Sequence, residues 1–510
     1  MHRIAPHQPH PLFNTAATRR IEHAAAAALP PHTLMQRAGV AVARLALALA
    51  PHARTVWIAC GPGNNGGDGL EAAAHLQRSG RQVVVTWLGE PDNAPADALA
   101  SWHRARDAGV HWADGPPGQM TAADLCIDAL LGIGVSSKTT APSRVPDPRL
   151  LTCLHALHTS PAPVLCVDLP SGLDADTGQF ASGLAPALEH HLPAAHHTAP
   201  ARHTLSLLTL KPGLFTAAGR DAAGQVWLDT LGMDIGQAIP SAWLSGPAQA
   251  TPRAHASHKG SYGDVAVVGG EGLADRGMGM GGAALLAASA ALHAGAGRVL
   301  VALLDHGHLQ LNLQQPELMF RRFEALDLEQ LTVVCGCGGG QAVGRVLSDV
   351  IERAARLVLD ADALNAIAPN AALHALVVAR GQRGQPTVLT PHPLEAARLL
   401  GLSTAEVQAD RLAAAHQLAA QFNCVAVLKG SGTVVAAADR VPAINPTGNA
   451  RLATAGTGDV LAGMVGAHLA AGASALRAAS EAVYLHGQAA DDWPAGYALT
   501  ASALARRVGG

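Results

Sequence analysis

A glycine-rich turn between an apolar run and a helical segment constrains the fold of this chain more than any other feature. The turn reads Gly61-Pro62-Gly63-Asn64-Asn65-Gly66-Gly67-Asp68-Gly69. It follows the apolar run 56–60 and precedes the Ala-rich segment 70–76, an order that predicts a strand, a turn and a helix. The turn also satisfies the G-x-G-x-x-G pattern of dinucleotide-binding folds. Because Asn64, Asn65 and Asp68 add polar side chains, it can bind a phosphate or a cation, and the pattern alone does not identify the ligand.

The length of the chain and two series of apolar runs predict two domains. A chain of 510 residues is longer than one hydrophobic core supports. In each series, short Val-, Ile- and Leu-rich runs alternate with amphipathic segments, which is typical of a mostly parallel sheet covered on both faces. The runs are 56–60, 83–88, 125–130, 164–169 and 204–210, then 265–269, 299–303, 331–335, 357–360, 387–389 and 425–428. A Pro-rich segment separates the two series, so we predict an α/β fold with domains at 1–245 and 246–510.

The composition argues against several classes of protein. Hydrophobic residues make up 49% of the chain, and the formal net charge of −3 gives no basic excess to attract nucleic acid or an anionic membrane. The first residues lack the pattern of a signal peptide, and no apolar segment reaches the length of a membrane span. We therefore expect a soluble cytoplasmic protein without nucleic-acid or membrane partners.

The cysteines and histidines form no recognisable metal motif. The seven cysteines are scattered, and several lie in apolar runs, so we expect buried free thiols. Cys335 and Cys337 have the wrong spacing for a C-x-x-C redox or metal motif. The histidine-rich stretch from 190 to 203 has no regular period that would direct its rings at one ion. We expect a solvated loop there in preference to a zinc site.

Polar motifs at the ends of apolar runs predict an anion-binding site in the second domain. The segment 455–459 precedes an apolar helix pattern, and free N–H groups at a helix start bind anions. Its carboxylate, Asp459, is either a helix cap or a base that accepts a proton from a substrate hydroxyl. The motifs 360–365, 390–395 and 429–433 also follow strand candidates, where α/β folds place ligands. Four such motifs together favour a nucleotide site over four separate caps.

With these motifs, the second domain resembles the ADP-dependent NAD(P)H-hydrate dehydratases of the ribokinase-like superfamily. The resemblance extends from His258 to the end of the chain and includes the segments 282–288 and 293–297. It implies a ribokinase-like α/β/α fold, with Asp459 as the catalytic base in contact with the substrate. The residues implied to contact the hydrated nucleotide are Ala283, Gly338 and His392. Those implied to bind the adenine nucleotide are Lys429, Gly430, Ser431, Gly432, Thr433 and Gly458.

The reaction implied by this resemblance uses ADP as co-substrate. Phosphate is transferred to the C6 hydroxyl of the hydrated nicotinamide ring, and the ring nitrogen then expels phosphate; Mg²⁺ neutralises the phosphates. Two positions depart from the family pattern. Cys337 stands where the family has proline in a Gly-Pro-Gly-Leu-Gly turn, and Leu394 stands where it has glycine. Neither change removes a chemical group, so we expect them to affect fine positioning more than activity.

The first domain resembles the NAD(P)H-hydrate epimerases over roughly residues 12–235, with a Rossmann-like three-layer α/β/α fold. The segments that carry the resemblance are 34–39, 64–68, 128–134, 167–174 and 211–213. The resemblance implies a K⁺ site made by Asn65, Asp128 and Ser171, and a substrate-contacting acid/base at Asp168 for inversion at C6. The residues implied to line the hydrated nucleotide are Asn64, Asn65, Gly66, Gly67, Asp68, Gly132, Ile133, Gly134, Val135, Ser136, Ser137 and Lys138. Asp128 and Asp168 could instead be caps at strand ends.

The resemblances together predict a bifunctional repair enzyme. One domain would interconvert the R and S epimers of hydrated NADH and NADPH (NADHX and NADPHX), and the other would dehydrate the S epimer with ADP. We expect these small molecules as its partners, and a homo-oligomer. One departure precedes the run 204–210, where relatives carry Ala-Asp-x-Thr and this chain has 201–204 as Ala-Arg-His-Thr. Two alternatives stay open: a non-catalytic first domain that serves as a binding scaffold, and a kinase for a small hydroxylated metabolite.

Overall fold

The chain divides into two compact α/β units. The computed structural model describes residues 1–137, 146–181, 183–184, 201–248 and 254–509. The first unit comprises Met1–Ala5 and Pro11–Ala242, and the second comprises Pro6–His10 and Trp243–Gly510. Each unit is built on a mainly parallel sheet with helices packed against it, so the predicted two-domain α/β fold is confirmed. None of the helices in the described residues combines the length and apolarity needed to cross a membrane.

The first unit has a sheet whose order is β1-β9-β8-β7-β6-β3-β4-β5, with β1 antiparallel to β9 and the other neighbours parallel. The first nine strands are β1 (His2–Arg3), β2 (His10–Leu12), β3 (Thr55–Cys60), β4 (Gln82–Trp87), β5 (His111–Trp112), β6 (Leu125–Ala129), β7 (Val164–Val167), β8 (Arg202–Leu207) and β9 (Gln225–Asp229). The described helices of this unit are Thr15–Ala27, Thr33–Leu49, Asn64–Arg78, Ala96–Asp107, Pro148–Thr159 and Gly219–Ala223.

The glycine-rich turn is more helical than the sequence suggests. The helix begins at Asn64, inside the turn, and not at residue 70 as the apolar pattern indicated. A Cβ on Gly66 would lie 1.9 Å from the carbonyl oxygen of Gly61, and one on Gly61 would lie 1.8 Å from that of Leu130. The close packing of backbone on backbone requires glycine at both positions. It draws the start of the helix against the carboxyl ends of β3 and β6.

The second unit has a sheet in the order β13-β12-β11-β14-β15-β16-β17-β18-β19-β10, parallel except where β18 meets β17 and β19. These strands are β10 (Ala242–Leu244), β11 (Asp264–Gly269), β12 (Arg298–Leu303), β13 (Met319–Phe320), β14 (Thr332–Cys335), β15 (Arg356–Leu359), β16 (Thr387–Leu389), β17 (Val425–Leu428), β18 (Val434–Ala436) and β19 (Ala443–Ile444). The described helices are Leu273–Arg276, Gly281–His293, Leu347–Arg353, Asp362–Ile367, Ala371–Gln382, Pro393–Leu400, Thr404–Ala409, Arg411–Phe422, Thr457–Ala470, Ala475–Asp491 and Ala501–Ala505.

Both faces of this second sheet are buried, as its continuous apolar runs predict. Val265 and Val267 join one hydrophobic core, while Ala266 and Val268, which alternate with them along β11, join another. Side chains of successive residues in a strand point to opposite faces, so helices must cover the sheet on both sides. The result is a three-layer α/β/α arrangement in which the loops at the carboxyl ends of the strands are free to form a site.

Two expectations about cysteine and histidine have different outcomes. All seven cysteines are free, and all but Cys424 are buried, which confirms the prediction of structural thiols. The expectation of a solvated histidine loop is wrong for His203, which lies on β8 opposite Leu165 and is 8% exposed. Burial lowers the pKa of His203, so the ring behaves as a neutral core residue. The histidines between 190 and 197 lie outside the described residues.

Candidate active sites

The first unit contains a cavity of about 840 Å³ at the carboxyl ends of its parallel strands. This volume is in the range of pockets that bind small molecules. Predicted nucleotide contacts that line it are Asn64, Asn65, Asp68, Gly132, Ile133, Gly134, Val135 and Asp168. Gly66 and Gly67 are buried within the helix start, Ser136 and Ser137 follow the lining segment, and Lys138 lies outside the described residues. The structure therefore brings the motifs after β3, β6 and β7 to one place.

The segment after β6 is tied down by Asp174. The carboxylate of Asp174 accepts hydrogen bonds from the backbone N of Ser137 at 2.7 Å and from its Oγ at 2.9 Å, and Thr177 N donates at 3.0 Å. Burial alone would raise the pKa of Asp174, but these hydrogen bonds lower it below its ordinary value. Ser137 thus fixes the position of the loop, and its hydroxyl is hydrogen-bonded to Asp174.

Asp168 is the most constrained acid of this cavity. Its backbone has φ of 67°, in the left-handed region that aspartate seldom adopts. Its carboxylate accepts a hydrogen bond from Leu207 N at 2.9 Å and forms an ion pair with Lys211, whose side chain is fully buried. The ammonium of Lys211 also donates to Leu207 O at 2.8 Å. A strand-end cap needs no such ion pair, and a carboxylate fixed in a cavity is a candidate base.

Two charged residues of this cavity, Lys211 and Glu22, were not assigned a role from the sequence. Lys211 belongs to a recognised segment, but the segment does not reveal that its side chain pairs with Asp168. Glu22 lies on the helix Thr15–Ala27 and also lines the cavity. Burial and the nearby Asp168 carboxylate raise the pKa of Glu22. Burial raises the pKa of Asp68 well above its ordinary value, and Asp168 and Glu22 raise it further.

The three residues predicted to hold K⁺ offer oxygen donors near one another. Asp128, which is 2% exposed, accepts hydrogen bonds from Ser171 N at 2.9 Å and Ser171 Oγ at 2.5 Å. Asn65 packs against Gly132, and within the described residues its buried amide Nδ2 has no hydrogen-bond partner. Since the two ends of an amide are assigned from such contacts, the oxygen can occupy this position instead. Carboxylate, hydroxyl and amide oxygens fit a hard cation such as K⁺.

In the second unit, Asp459 lies in the first turn of the helix Thr457–Ala470. The helix follows Gly456, whose φ of 90° lets the chain turn sharply into it. Burial and the nearby Asp360 carboxylate raise the pKa of Asp459 to about 7, against the opposing effects of Cys337 and Lys429. A carboxyl group with a pKa near neutral pH is matched to proton transfer, which a simple cap does not require.

A buried ion pair between Lys429 and Asp360 lies beside this helix start. Lys429 Nζ is 2.8 Å from Asp360 Oδ1, and Thr390 Oγ1 donates to the same oxygen at 2.8 Å. Burial would lower the pKa of Lys429, but Asp360 and Glu395 raise it above its ordinary value, so the group stays charged. A Cβ on Gly458 would lie 3.3 Å from Lys429 Nζ. The ammonium therefore lies where the helix start presents its N–H groups, a site suited to phosphate.

Cys337 contacts this acidic pair. Its Sγ lies 3.8 Å from Asp360 Oδ2, and ligand atoms of Cys337, Asp360 and Asp459 all lie within 4.8 Å of one another. The spacing would allow a metal ion, but a buried thiol is a poor ligand for Mg²⁺ and Lys429 already neutralises Asp360. These three residues do not fit a resident Mg²⁺ site. The departure from the family's proline thus adds a polar contact to the predicted base.

Arg411 holds the backbone of the predicted phosphate loop, which follows β17. The guanidinium is 1% exposed and donates to the carbonyl oxygens of Leu428 and Lys429, each at 3.2 Å. A Cβ on Gly430, which has φ of 136°, would lie 2.9 Å from Arg411 Nη1. Within the loop, Thr433 Oγ1 donates to Gly430 O at 3.1 Å, and Ser431 and Gly432 form its tip. Arg411 lies in an ordinary helical stretch, so no motif pointed to it.

The predicted substrate contacts Ala283 and Gly338 are neighbours. A Cβ on Gly338 would lie 2.9 Å from the Cβ of Ala283, so glycine leaves room between the two segments. The turn around Gly338 is shaped by Glu271, a buried carboxylate that accepts hydrogen bonds from Gln341 N at 2.8 Å and pairs with Arg276. No role was predicted for Glu271 from the sequence, because it follows a strand and belongs to no recognisable motif.

His392 is held by the helix that it begins. Its Nδ1 accepts hydrogen bonds from Leu394 N at 3.1 Å and Glu395 N at 3.3 Å, and Glu395 Oε2 accepts from His392 N at 2.8 Å. This capping box leaves the proton on Nε2, which lies 3.2 Å from Glu395 Oε1. Burial and the Lys429 charge lower the pKa of His392. His392 is therefore a fixed neutral donor at the same edge of the sheet as Lys429.

The two sites and the fold define a two-domain α/β enzyme with a cavity in the first unit and an anion-binding helix start in the second, and comparisons with known proteins agree. Residues 31–213 match the family model described as YjeF-related protein N-terminus, and residues 267–508 match the model described as NAD(P)H-hydrate dehydratase. The Bifunctional NAD(P)H-hydrate repair enzyme Nnr of Escherichia coli (strain K12) is 34% identical, over 95% of this chain and 90% of that one. Its namesake in Coxiella burnetii is 32% identical, over 94% of each chain.

The chain belongs to the family of bifunctional NAD(P)H-hydrate repair enzymes. It is an epimerase and a dehydratase in one polypeptide, which confirms the enzyme class predicted from the sequence. Among solved structures, the ADP/ATP-dependent NAD(P)H-hydrate dehydratase from Bacillus subtilis, co-crystallized with ATP/Mg²⁺, is 30% identical. It covers 50% of this chain and 91% of its own, with a TM-score of 0.40.

Proposed function

We propose that the second domain dehydrates the S epimer of NADHX or NADPHX by phosphate transfer from ADP, with Asp459 as the base. The observation that carries this proposal is the partly buried Asp459, with a pKa of about 7, beside the Lys429–Asp360 ion pair at a helix start. A base that titrates near neutral pH next to an anion-binding helix end is what phosphate transfer to a hydroxyl requires.

The reaction follows from these positions. Asp459 accepts the proton of the C6 hydroxyl as its oxygen attacks the terminal phosphorus of ADP, and AMP leaves. Lys429 and the N–H groups around Gly458 stabilise the charge on the transferred phosphate. The lone pair of the ring nitrogen then expels phosphate from C6, and loss of a proton from C5 restores the dihydropyridine. Mg²⁺ enters with ADP as part of the substrate, and Ala283, Gly338 and His392 contact the hydrated ring nucleotide.

The first domain, in the same proposal, inverts C6 of NADHX and NADPHX in the 840 Å³ cavity. Asp168 is the base, because it lines the cavity and its carboxylate is fixed by Lys211 and by Leu207 N. Asn65, Asp128 and Ser171 would hold K⁺, which supplies a fixed positive charge when bound. The cavity residues of the turns after β3 and β6 contact the nucleotide. The epimerase thereby supplies the S epimer from R epimer that the second domain cannot use.

The dehydratase proposal predicts that the protein restores NADH only in the presence of ADP. Incubation with S-NADHX, ADP and Mg²⁺ should bring back the near-ultraviolet absorbance of NADH, with AMP and phosphate formed in equal amounts. Omission of ADP is the control and should leave the absorbance flat. Phosphorylation of a sugar or pyrimidine without recovery of NADH would instead support the small-metabolite kinase.

The raised pKa of Asp459 predicts the pH dependence of dehydration. Only the ionised carboxylate accepts a proton, so kcat/KM for S-NADHX should rise with pH and level off above a pKa of about 7. Below that value the rate should fall about tenfold per pH unit, as expected for one ionisation. Steady-state kinetics in constant-ionic-strength buffers would measure it. A profile that stays flat down to the ordinary range of carboxyl groups would contradict Asp459 as the base.

A further inference from the structure

The cavity of the first unit contains more carboxyl groups than its buried ammonium can balance. Among the described residues, Glu22, Asp68 and Asp168 all line it; Lys211 is ion-paired with Asp168, and Arg19 and His23 also line the cavity near Glu22. Charged carboxylates are costly to bury without a partner, so groups left without one keep their protons. The cavity therefore combines a carboxylate held in an ion pair with two carboxyl groups whose pKa values are raised. Environments that push two carboxyl groups to opposite protonation states are typical of an acid/base pair.

The helix Thr15–Ala27 turns Glu22 toward the ion pair. Thr18 Oγ1 lies 2.8 Å from Thr209 Oγ1, and both side chains are buried. Thr18 and Glu22 are four residues apart, so they share one face of the helix. Thr209 precedes Lys211 by two residues, so that face is held against the segment that carries the ammonium. The hydrogen bond between the threonines thus fixes where Glu22 meets the cavity.

Inversion at C6 has a route that uses two such groups without any co-reactant. The C6 carbon of the hydrated ring carries both a hydroxyl group and the ring nitrogen N1. Removal of the hydroxyl proton breaks the C6–N1 bond, its electron pair passes to N1, and N1 takes a proton while C6 becomes an aldehyde. Rotation about C5–C6 exposes the other face, and N1 attacks C6 again. The N1 proton then leaves, the C6 oxygen regains a proton, and both catalytic groups return to their starting states.

We propose that Glu22 is the catalytic acid of the epimerase domain, donating a proton to N1 of the hydrated nicotinamide ring while Asp168 takes the C6 hydroxyl proton. This role rests on the proposed epimerase function of the first domain. On ring closure, Glu22 recovers the proton from N1 and Asp168 returns its proton to the C6 oxygen. Because each group ends the cycle in the protonation state in which it began, turnover needs no proton exchange with bulk water.

Glu22 suits this role better than Asp68. Asp68 lies in the first turns of the helix Asn64–Arg78, and burial with three neighbouring carboxylates raises its pKa well above the ordinary value. An acid that must lose its proton in every cycle works best with a pKa near the working pH. Glu22 and Asp68 are both partly buried, but Lys211, His23 and Arg19 each oppose the rise in the pKa of Glu22. Asp68 is therefore better suited to donate a hydrogen bond to the substrate while keeping its proton. Glu22 is better suited to give up a proton and take it back in each cycle.

Epimerisation by Glu22→Gln tests the proposal in the full-length protein. With R-NADHX as substrate, the rate above the spontaneous background should fall about 100-fold or more, the range for loss of a general acid. Glu22→Asp should recover part of that rate. ADP-dependent conversion of S-NADHX should stay at the wild-type rate, because the second domain is unchanged, and thermal unfolding should show that the first domain of the variant is folded. Glu90→Gln, the same change at an exposed position of the first unit, is the matched control and should be unaffected.

The pH profile separates a catalytic role from a structural one. Loss of the Glu22 proton should lower wild-type kcat/KM on the alkaline side, and this limb should vanish from the residual activity of Glu22→Gln. The charged groups that set its position are Asp168, Asp68, Lys211, His23 and Arg19. Wild-type epimerisation in Glu22→Gln, with activity lost in Asp168→Asn, would overturn the role of Glu22 alone. Unchanged activity in both variants would overturn the roles of both residues, and wild-type conversion no faster than the spontaneous background would overturn the epimerase function itself.

Discussion

Replacing Asp459 with asparagine should reduce ADP-dependent dehydration of S-NADHX about 1,000-fold, within the range for loss of a general base. Asparagine keeps the size of the side chain but cannot accept the hydroxyl proton. The helix start and the Lys429–Asp360 ion pair stay in place, so ADP should still bind. Dehydration would be followed by the return of NADH absorbance, and ADP binding by calorimetry.

The Asp459→Asn result needs two controls. Asp439→Asn, the same substitution at an exposed position of the second unit, should keep full activity. Epimerisation of R-NADHX by the Asp459→Asn protein should also stay at the wild-type rate, because the first domain is untouched. Dehydration within a few fold of wild type would show that Asp459 is a cap of the helix Thr457–Ala470 and that another group is the base.

Replacing Asp168 with asparagine should abolish epimerisation above the spontaneous rate, an effect of about 1,000-fold or more for a lost general base. It should also destabilise the first domain, because Lys211 becomes a buried ammonium without its carboxylate. Breaking a buried ion pair from one side costs about 3–5 kcal/mol. Conversion of R-NADHX and thermal unfolding together would measure the two effects.

A double variant distinguishes the loss of the base from the loss of stability. Lys211→Met removes the unpaired charge with little change in volume, so Asp168→Asn with Lys211→Met should recover much of the unfolding temperature. It should not recover epimerisation, since no base is restored. Dehydration of S-NADHX should be normal in both variants. Conversion of R-NADHX that persists unchanged in Asp168→Asn would show that Asp168 is not the base, and wild-type conversion no faster than the spontaneous rate would support the non-catalytic binding scaffold.

The sequence predicted the parts of the sites that depend on local patterns. The turn around Asn65, the strand-end Asp168 and the helix-start Asp459 stand in ordered motifs, and each lies where a parallel α/β sheet collects its loops. The fold class followed from apolar runs that are buried on both faces. The roles of these residues in catalysis stay predictions, because geometry places them without testing their chemistry.

Other functional residues had no local signal. Each of these residues is separated in the sequence from the groups beside which it lies, and each looks like an ordinary polar residue in its own segment. They are Glu22, Glu271 and Arg411. Their burial and partners depend on how distant strands are ordered in the sheet. His203 was misjudged for the converse reason: its histidine-rich surroundings suggested solvent, whereas pairing of β8 with β7 buries its ring. In both cases, the pairing of strands that are distant in the sequence determines which side chains are buried and what they contact.

The backbone contact between Gly61 and Gly66 has a consequence for how this chain can vary. A side chain as small as that of alanine at either position would meet a carbonyl oxygen at less than 2 Å. Pro62 is exposed, and a Cβ on Gly63 would meet nothing within 4 Å. Side chains can therefore be added at the outer positions of this turn, whereas replacing either inner glycine would displace backbone even though no catalytic group is changed.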